Sequence, residues 1–299
     1  MIKSPVIFRR FFFRPVGAVA DFANDLAISY ISHLLRDGEQ QKACRLATKL
    51  QKTVAPLNPD SIEKICRLTV RNDAAKMDDL GNFFQKVLHK DEGKLLKKIE
   101  LDLLLEQGNA AEAYEKSVEY SKEIKGAFYQ IDLFFAAFNR NDQEAVKKIY
   151  KYVSNTHGAK AAILDLSFAM TVKGDEKLKA AAEFLLTTNE GLTITPSKLS
   201  FFCDKAIKLD RTEGFERLLI AYYEKHIATL SYLLDTANKL CTFYMRKGRY
   251  SDAVRFEKTL RAANFTVDET LSKMFKRARN LDEEAQKREA IRAVEAAAD

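Results

Sequence analysis

Apolar residues recur with helical spacing along almost the whole chain, and short polar breaks divide them into stretches of similar length. The clearest pair of stretches carries Phe128, Ile131, Phe134, Phe135 and Phe138 and, after a polar break, Ala145, Ile149, Tyr152 and Val153. Residues three and four positions apart lie on one face of an α-helix. The pattern therefore predicts pairs of amphipathic helices.

The polar breaks recur at a nearly constant spacing. They read Asp37-Gly38, Asn72-Asp73, Gly108-Asn109, Asn141-Asp142, Gly174-Asp175, Asp210-Arg211 and Gly248-Arg249, and they lie 33 to 38 residues apart. Gly, Asn and Asp tolerate the left-handed backbone conformation that ends one helix and lets the next begin. A small residue follows most breaks and is expected to let the two antiparallel helices approach closely. These small residues are Ala43, Ala113, Ala145, Ala180, Gly214 and Ala253.

This spacing predicts an all-α fold, an α-solenoid of about seven helix-turn-helix repeats of ~35 residues over residues 21–268. Each hairpin leaves an apolar face that the next hairpin covers. Residues 269–299 are expected to form one or two C-terminal capping helices, with a charged last helix from about Leu281. Gly (11 residues) and Pro (5 residues) are scarce, which disfavours strands and tight turns.

The net charge of +7 is concentrated at the N-terminus, because residues 1–20 contain Lys3, Arg9, Arg10 and Arg14 and no acid. The rest of the chain is only mildly basic, so its charge alone does not indicate a nucleic-acid-binding protein. An acid-free segment of arginines and apolar side chains is typical of a mitochondrial presequence, which predicts a matrix protein. A basic arm of a cytosolic or nuclear protein is the alternative.

Several kinds of chemistry have no signal in the sequence. No apolar run approaches the roughly 20 residues that span a bilayer, so no transmembrane helix is predicted. The cysteines form no CxxC pair and are expected to be reduced and mostly buried; they are Cys44, Cys66, Cys203 and Cys241. Gly-rich phosphate loops, HExxH pairs and nucleophile elbows are also absent. The sequence therefore predicts no enzyme, no cofactor and no metal site.

The segment from Asp235 to Asp268 carries a more specific motif. It reads DTANKLCTFYMRKGRYSDAVRFEKTLRAANFTVD and resembles the pentatricopeptide (PPR) repeat along its whole length without a gap. The matching features are the Gly248-Arg249 break, Ala253, Leu260 and the ending from Asn264 to Asp268, with Val267 where the family usually has proline. The other repeats resemble it less. Divergent, Leu- and Phe-rich arrays behind a presequence look most like animal mitochondrial proteins of the leucine-rich PPR type.

The resemblance implies an organellar protein that binds single-stranded RNA and acts in RNA stability, processing or translation. In the family, a polar side chain near the fourth position of the first helix and the last residue of the repeat read one base edge. These positions are Asn238 and Asp268 here, a combination that the family associates with uracil. An amide and a carboxylate can hydrogen-bond the Watson–Crick edge of an unstacked base. Alternatively, Asn238 is a solvated helix residue and Asp268 is the N-cap of the next helix.

The earlier repeats depart from this pattern. Alignment on the breaks puts Ile131 and Leu164 at the position of Asn238, with Lys98 and Ser200 as polar exceptions. Apolar side chains cannot report base identity through hydrogen bonds, so a long sequence-specific footprint is not expected. A solenoid that binds protein partners of a ribonucleoprotein or another assembly therefore stays open. Polar first-helix residues on the concave surface favour RNA, and apolar residues there favour a protein.

Overall fold

A computed structural model describes residues 18–53, 59–70, 77–88, 93–124, 128–173 and 175–298, and these residues form fifteen α-helices without a strand. The helices are α1 (Ala18–Arg36), α2 (Gln40–Thr53), α3 (Pro59–Val70), α4 (Met77–Leu88), α5 (Gly93–Glu106), α6 (Ala110–Ile124), α7 (Gln130–Asn139), α8 (Gln143–His157), α9 (Ala159–Lys173), α10 (Glu176–Thr188), α11 (Pro196–Lys208), α12 (Thr212–Glu224), α13 (Leu230–Arg246), α14 (Tyr250–Ala262) and α15 (Glu269–Ala298). The predicted all-α class is confirmed. The predicted presequence, residues 1–20, lies outside the described residues except for 18–20, which begin α1.

The chain divides into two compact units, Met1–Glu123 and Ile124–Asp299. Unit 1 contains three helical hairpins, built from α1 to α6. Unit 2 contains four hairpins, built from α7 to α14, followed by α15. Each unit has its own apolar core, centred on Phe83 and Phe84 in unit 1 and on Phe168, Phe202 and Phe215 in unit 2. The described helices therefore pair as seven hairpins, and the predicted helical-repeat architecture is confirmed within each unit.

The breaks inside the hairpins have the predicted backbone conformation. Left-handed φ angles between 52° and 88° occur at Gly38, Gly108, Asn141, Asp210 and Gly248. Such a residue lets the next amide turn back onto the end of the first helix. The Arg249 N–H, for example, donates to the Tyr244 carbonyl oxygen at 2.9 Å. Asn72, Asp73 and Gly174 lie outside the described residues.

The small residues after the breaks were expected at close contacts between helices, and only some of them are buried. Ala43, Ala113, Gly214 and Ala253 are buried, but Ala145 is half-buried and Ala180 is exposed. The expectation was wrong for the last two because α8 and α10 turn other positions to the core. In α10 these core-facing positions are Lys179, Ala182 and Leu186.

Gly214 shows that the close approach joins neighbouring hairpins. A Cβ atom at this residue would lie 2.5 Å from the backbone oxygen of Thr171 in α9. Helices α9 and α12 belong to consecutive hairpins, so this contact is not the approach within one hairpin that the sequence suggested. A glycine here allows the second helix of one hairpin to lie on the first helix of the hairpin before it.

The C-terminal region is one continuous helix, α15. One capping helix is among the predicted arrangements, but the predicted start of the last helix near Leu281 was wrong, because no Gly or Pro interrupts residues 269–298. Helix α15 packs on α13 and α14 and buries Leu271, Phe275 and Ala278. Its other side exposes polar residues such as Lys273 and Lys276, as a helix that ends a stack requires.

The cysteines are as predicted, since all four are free and only Cys44 is not fully buried. Burial raises the pKa of the Cys203 and Cys241 thiols to about 12. Such thiols stay protonated and unreactive near neutral pH. Within the part of the chain that the structure describes, no helix is long and apolar enough to cross a membrane.

The contact at Gly214 makes the stability of unit 2 sensitive to one methyl group. Gly214→Ala places that methyl group against the backbone of Thr171, so the free energy of unfolding should fall by about 1–3 kcal/mol. Urea denaturation followed by circular dichroism measures this change. Gly81→Ala in α4 is the matched control, because its Cβ would lie 3.7 Å from Leu96 Cδ1. That control should gain up to about 1 kcal/mol from helix propensity. A Gly214→Ala protein as stable as wild type would contradict the close packing.

Candidate nucleic-acid interface

The two predicted site residues, Asn238 and Asp268, are in contact. Asn238 lies in the middle of α13, and Asp268 immediately precedes α15. Asn238 Nδ2 donates a hydrogen bond to Asp268 Oδ2 at 3.3 Å. Asp268 Oδ1 accepts a hydrogen bond from the Leu271 backbone N–H at 2.7 Å, so Asp268 also caps α15. The two roles considered for Asp268 are therefore compatible, and its cap holds the carboxylate beside Asn238.

The Asn238–Asp268 pair keeps limited hydrogen-bonding capacity. Asn238 Oδ1 is buried and accepts no hydrogen bond from the described residues. Asn238 Nδ2 retains a second N–H, and the Asp268 carboxylate retains free lone pairs. The pair therefore offers one donor next to one acceptor. Uracil fits this arrangement, since its ring N–H would donate to Asp268 and a carbonyl oxygen would accept from Asn238. The other bases also carry a neighbouring donor and acceptor, so any selection depends on geometry.

We call the side of the first helices of unit 2 that carries the positions aligned with Asn238 the reader face. It is accessible in α11 and α13, where its residues are exposed or half-buried: Ser197, Ser200, Phe201 and Asp204 in α11, and Asp235, Asn238, Lys239 and Thr242 in α13. Lys239 Nζ joins the two helices, because it donates to Ser200 Oγ at 3.0 Å and lies 2.6 Å from Asp204 Oδ1. Seven of these eight residues are polar, and the apolar one is Phe201.

The reader face is closed at α9. The exposed fraction is 3% for Leu164 and 0% for Phe168, and the Phe168 ring stacks on Phe202 of α11 with centroids 4.2 Å apart. An ion pair between Lys205 of α11 and Asp132 of α7 joins first helices two hairpins apart and so spans α9. An extended strand therefore has no open surface along α9.

The other aligned positions differ in their surroundings. Ile131 and Leu164 are core residues, which explains why they are apolar without requiring a protein partner. Lys98 Nζ binds Asp102 Oδ2 at 2.7 Å within α5. Ser200 does lie on the accessible part of the reader face, where it accepts the hydrogen bond from Lys239.

Sequence reasoning missed Phe201 and Lys239. Both precede the next break by nine residues, so the repeat alignment could have placed them on the reader face. The Phe201-Phe202 pair alone does not reveal which ring is exposed. Consecutive helix residues point about 100° apart, yet adjacent phenylalanines can both be buried, as Phe83 and Phe84 are. Phe202 is buried and Phe201 is 49% exposed.

Buried acids of unit 2 are paired with cations of neighbouring hairpins. Asp165 Oδ1 lies 2.8 Å from Lys198 Nζ, and Asp165 Oδ2 accepts a hydrogen bond from Gln130 Nε2 at 3.3 Å. Burial raises the pKa of the Asp165 carboxyl, and the Lys198 ammonium acts in the opposite direction. Glu216 is likewise buried and paired with Arg255 at 3.1 Å, and burial raises its pKa. These cations neutralise buried acids between packed hairpins. They therefore contribute little positive charge to a surface that could bind phosphates.

Comparison with known proteins finds a distant similarity. No family model matches the chain. The chain is 27% identical over 115 residues to the Leucine-rich PPR motif-containing protein, mitochondrial, of Mus musculus. The aligned region covers 38% of this chain and 8% of that protein, so the chain matches less than a tenth of the relative's length. The similarity supports a distant, PPR-like relationship, in agreement with the helical hairpins of both units.

The burial of Asp165 makes stability depend on pH in a defined direction. Its pKa is higher in the folded than in the unfolded chain, so the folded state binds the proton more tightly. The contribution of this group to stability therefore grows as pH falls through the folded pKa, and it is lowest at neutral pH. Asp165→Asn removes the titration. The free energy of unfolding of wild type, relative to that of Asp165→Asn, should increase as the pH is lowered from about 7 to about 4. Urea denaturation at each pH measures both free energies. A difference that is independent of pH would contradict the prediction.

Proposed function

We propose that this chain binds single-stranded RNA through the reader face of α11 and α13 and acts in mitochondrial post-transcriptional gene expression, in RNA stability, processing or translation. The observation that carries the proposal is the Asn238–Asp268 contact. These residues stand where a PPR-like repeat reads a base, and they offer a donor beside an acceptor at an accessible surface. The similarity to a mitochondrial PPR motif protein supports the same class of function.

The chemistry of the reader face favours RNA over a protein partner. A protein-binding surface is expected to have an apolar centre within a polar rim. The accessible residues of α11 and α13 are polar apart from Phe201, and the apolar residues at aligned positions, Ile131 and Leu164, belong to the core. A protein-binding scaffold is the alternative function, and it would have to use another surface of the chain.

The accessible reader face is short, which limits the footprint. It extends over α11 and α13 to the start of α15 and stops at α9. Few bases can be read, so the affinity should depend on a small number of contacts. Arg246 is exposed at the end of α13 and is a candidate contact for a phosphate.

Replacement of Asn238 tests the base-reading role. Asn238→Ala should weaken binding to a uracil-containing single strand by about 1–3 kcal/mol, and the loss should shrink when the uracil is replaced by another base. Fluorescence anisotropy with labelled oligonucleotides measures both effects. Asn155→Ala, at an exposed position of α8, is the matched control and should bind as wild type does.

Two further measurements separate base reading from other effects. Arg246→Ala should weaken binding to every sequence and flatten the salt dependence, as loss of a phosphate contact does. A melting curve of Asn238→Ala checks that the cap at Asp268 still holds α15. Equal affinity of wild type and Asn238→Ala for uracil-rich, adenine-rich and cytosine-rich strands would remove this pair as a base reader.

The proposed location has its own test. A fluorescent protein fused behind residues 1–30 should enter mitochondria, because the segment is basic and acid-free through residue 20. Microscopy with a matrix marker measures the overlap. Replacement of Arg9, Arg10 and Arg14 by Glu should abolish import. A diffuse signal that the three replacements leave unchanged would contradict mitochondrial targeting by this segment.

A further inference from the structure

The first hairpin of unit 1 carries an exposed row of positive charge. Helix α2 contains no acidic residue, and Lys42, Arg45 and Lys49 are exposed along it. These three residues, which we call the basic row, have the i, i+3, i+7 spacing that places side chains on one face of a helix. Lys42 Nζ lies 2.8 Å from Glu39 Oε1, but both side chains are exposed, so this pair is weak. The row therefore keeps a net positive charge in solvent.

The last hairpin of unit 1 carries a row of the opposite sign. Three glutamates with the same i, i+3, i+7 spacing are exposed along α6, and we call them the acidic row. Its members are Glu112, Glu115 and Glu119. The cations of α6 are Lys116, which pairs with Glu100 of α5, and Lys122, which follows the row. The acidic row therefore keeps a net negative charge.

The two rows occupy equivalent places in their hairpins. Lys42 follows the break residue Gly38 by four positions, and Glu112 follows Gly108 by four positions. Both glycines have left-handed φ angles, so both rows begin at the same height above the turn. At about 1.5 Å per residue, each row extends over about 10 Å. Each base of α2 thus has an acid of α6 at the matching position.

The two rows do not cover each other within one molecule. Helix α2 packs on α1 and α4, and the hairpin of α3 and α4 separates it along the chain from α5 and α6. All six side chains remain exposed in the folded chain. Complementary charges that are held apart in this way can meet between two molecules.

We propose that the basic row of one copy of this chain pairs with the acidic row of a second copy, and reciprocally, in a two-fold symmetric dimer. A two-fold axis that is parallel to the helices and centred on α4 reverses the order of the hairpins and keeps the height along each helix. It therefore sets each base of α2 opposite the acid at the same height in the partner's α6. Both rows of both copies are then used, so the assembly closes at two copies.

The charge of the surrounding surface agrees with a second copy as the occupant. An axis on α4 brings this helix against its own copy, which requires that it carry no excess of one sign. Its exposed side chains within the described residues are one acid, one base and two amides: Asp79, Lys86, Asn82 and Gln85. The N-terminal segment 1–20, with four basic residues and no acid, would be repelled by the basic row. A second copy supplies the opposite sign to both rows at once.

The polar character of this interface makes the dimer weak and dependent on salt. Each exposed ion pair contributes little, and the paired surfaces have no apolar centre. Charges are screened beyond about 30 Å at 0.01 M salt but beyond about 3 Å at 1 M salt. The full chain should therefore dimerise at low salt and dissociate as salt is added. Sedimentation velocity over a series of protein concentrations measures this association.

Charge reversal tests the pairing. Arg45→Glu places like charges opposite each other at both symmetric contacts, so it should weaken self-association by about tenfold or more. Glu115→Arg should have the same effect. Lys148→Glu is the matched control, because Lys148 is exposed on α8, a second helix of unit 2. It should associate as wild type does. All three side chains are exposed, so the variants should melt as wild type does, which circular dichroism checks.

Rescue identifies the two rows as partners. An equimolar mixture of Arg45→Glu and Glu115→Arg should associate as wild type does, because each variant meets the complementary charge at both contacts. The double variant that carries both changes in one chain should also associate, since its rows have exchanged one pair of charges. A defect of folding would not be repaired in either experiment.

Several outcomes would overturn the inference. They are a wild-type chain that stays monomeric at low salt, association that continues beyond two copies, and failure of both rescues. Unchanged self-association of Arg45→Glu together with a lower affinity for RNA would instead assign the basic row to nucleic acid. The proposed RNA-binding function uses α11 and α13 of unit 2, so it stands or falls independently of these results.

Discussion

The organisation of unit 2 depends on the burial of α9. Between Ala161 and Val172 this helix carries only three polar side chains, Asp165, Ser167 and Thr171. A helix that is apolar on all sides must be covered on all sides. Helices α7, α8, α10 and α12 pack around it, and Phe202 of α11 closes a further side through the Phe168 ring. Gly214 exists at its position because α12 has to reach the backbone of α9.

The cover over α9 also decides where a ligand can bind. Lys205 and Asp132 meet across this helix, and Lys198 neutralises the buried carboxylate of Asp165. A buried carboxylate without a cation would be strongly unfavourable. These lysines therefore stabilise the fold and are not available to bind a ligand. The reader face is closed at α9 and accessible at α11 and α13, where polar side chains replace the apolar ones. One packing requirement thus separates a closed, structural part of unit 2 from an open part that carries the candidate site.

The parts of the fold that follow from local chemistry could be predicted from the sequence. A left-handed Gly, Asn or Asp ends a helix wherever it stands, so the breaks at Gly38, Asn141 and Gly248 predicted the hairpins. The contacts between hairpins depend on how each helix is rotated about its axis, which the spacing of breaks does not determine. For this reason Ala145 and Ala180 were wrongly assigned to buried positions. The predicted helix start near Leu281 was wrong because no helix-breaking residue divides residues 269–298.

In the candidate site, too, the features within one repeat could be predicted from the sequence, and those that depend on packing between repeats could not. Asn238 and Asp268 could be found because they belong to one repeat, whose ends are brought together by a single hairpin and the helix that follows it. Their contact at 3.3 Å agrees with that expectation. Phe201 lies in the preceding hairpin, so its relation to Asn238 depends on packing between repeats. The burial of the reader face at α9 could not be predicted either. Apolar residues such as Ile131 and Leu164 give the same sequence pattern whether they line a groove or fill a core.

The breaks between paired helices explain how such a chain can keep its architecture while its residues change. Gly, Asn and Asp occupy the described breaks in one backbone conformation. Exchange among them costs roughly 1–2 kcal/mol at most, because only the backbone geometry is required there. Substitutions elsewhere in the helices leave this spacing in place, and the breaks of this chain lie 33 to 38 residues apart. In a helical repeat of this kind, the distance between turns constrains the architecture more tightly than the side chain at any single position.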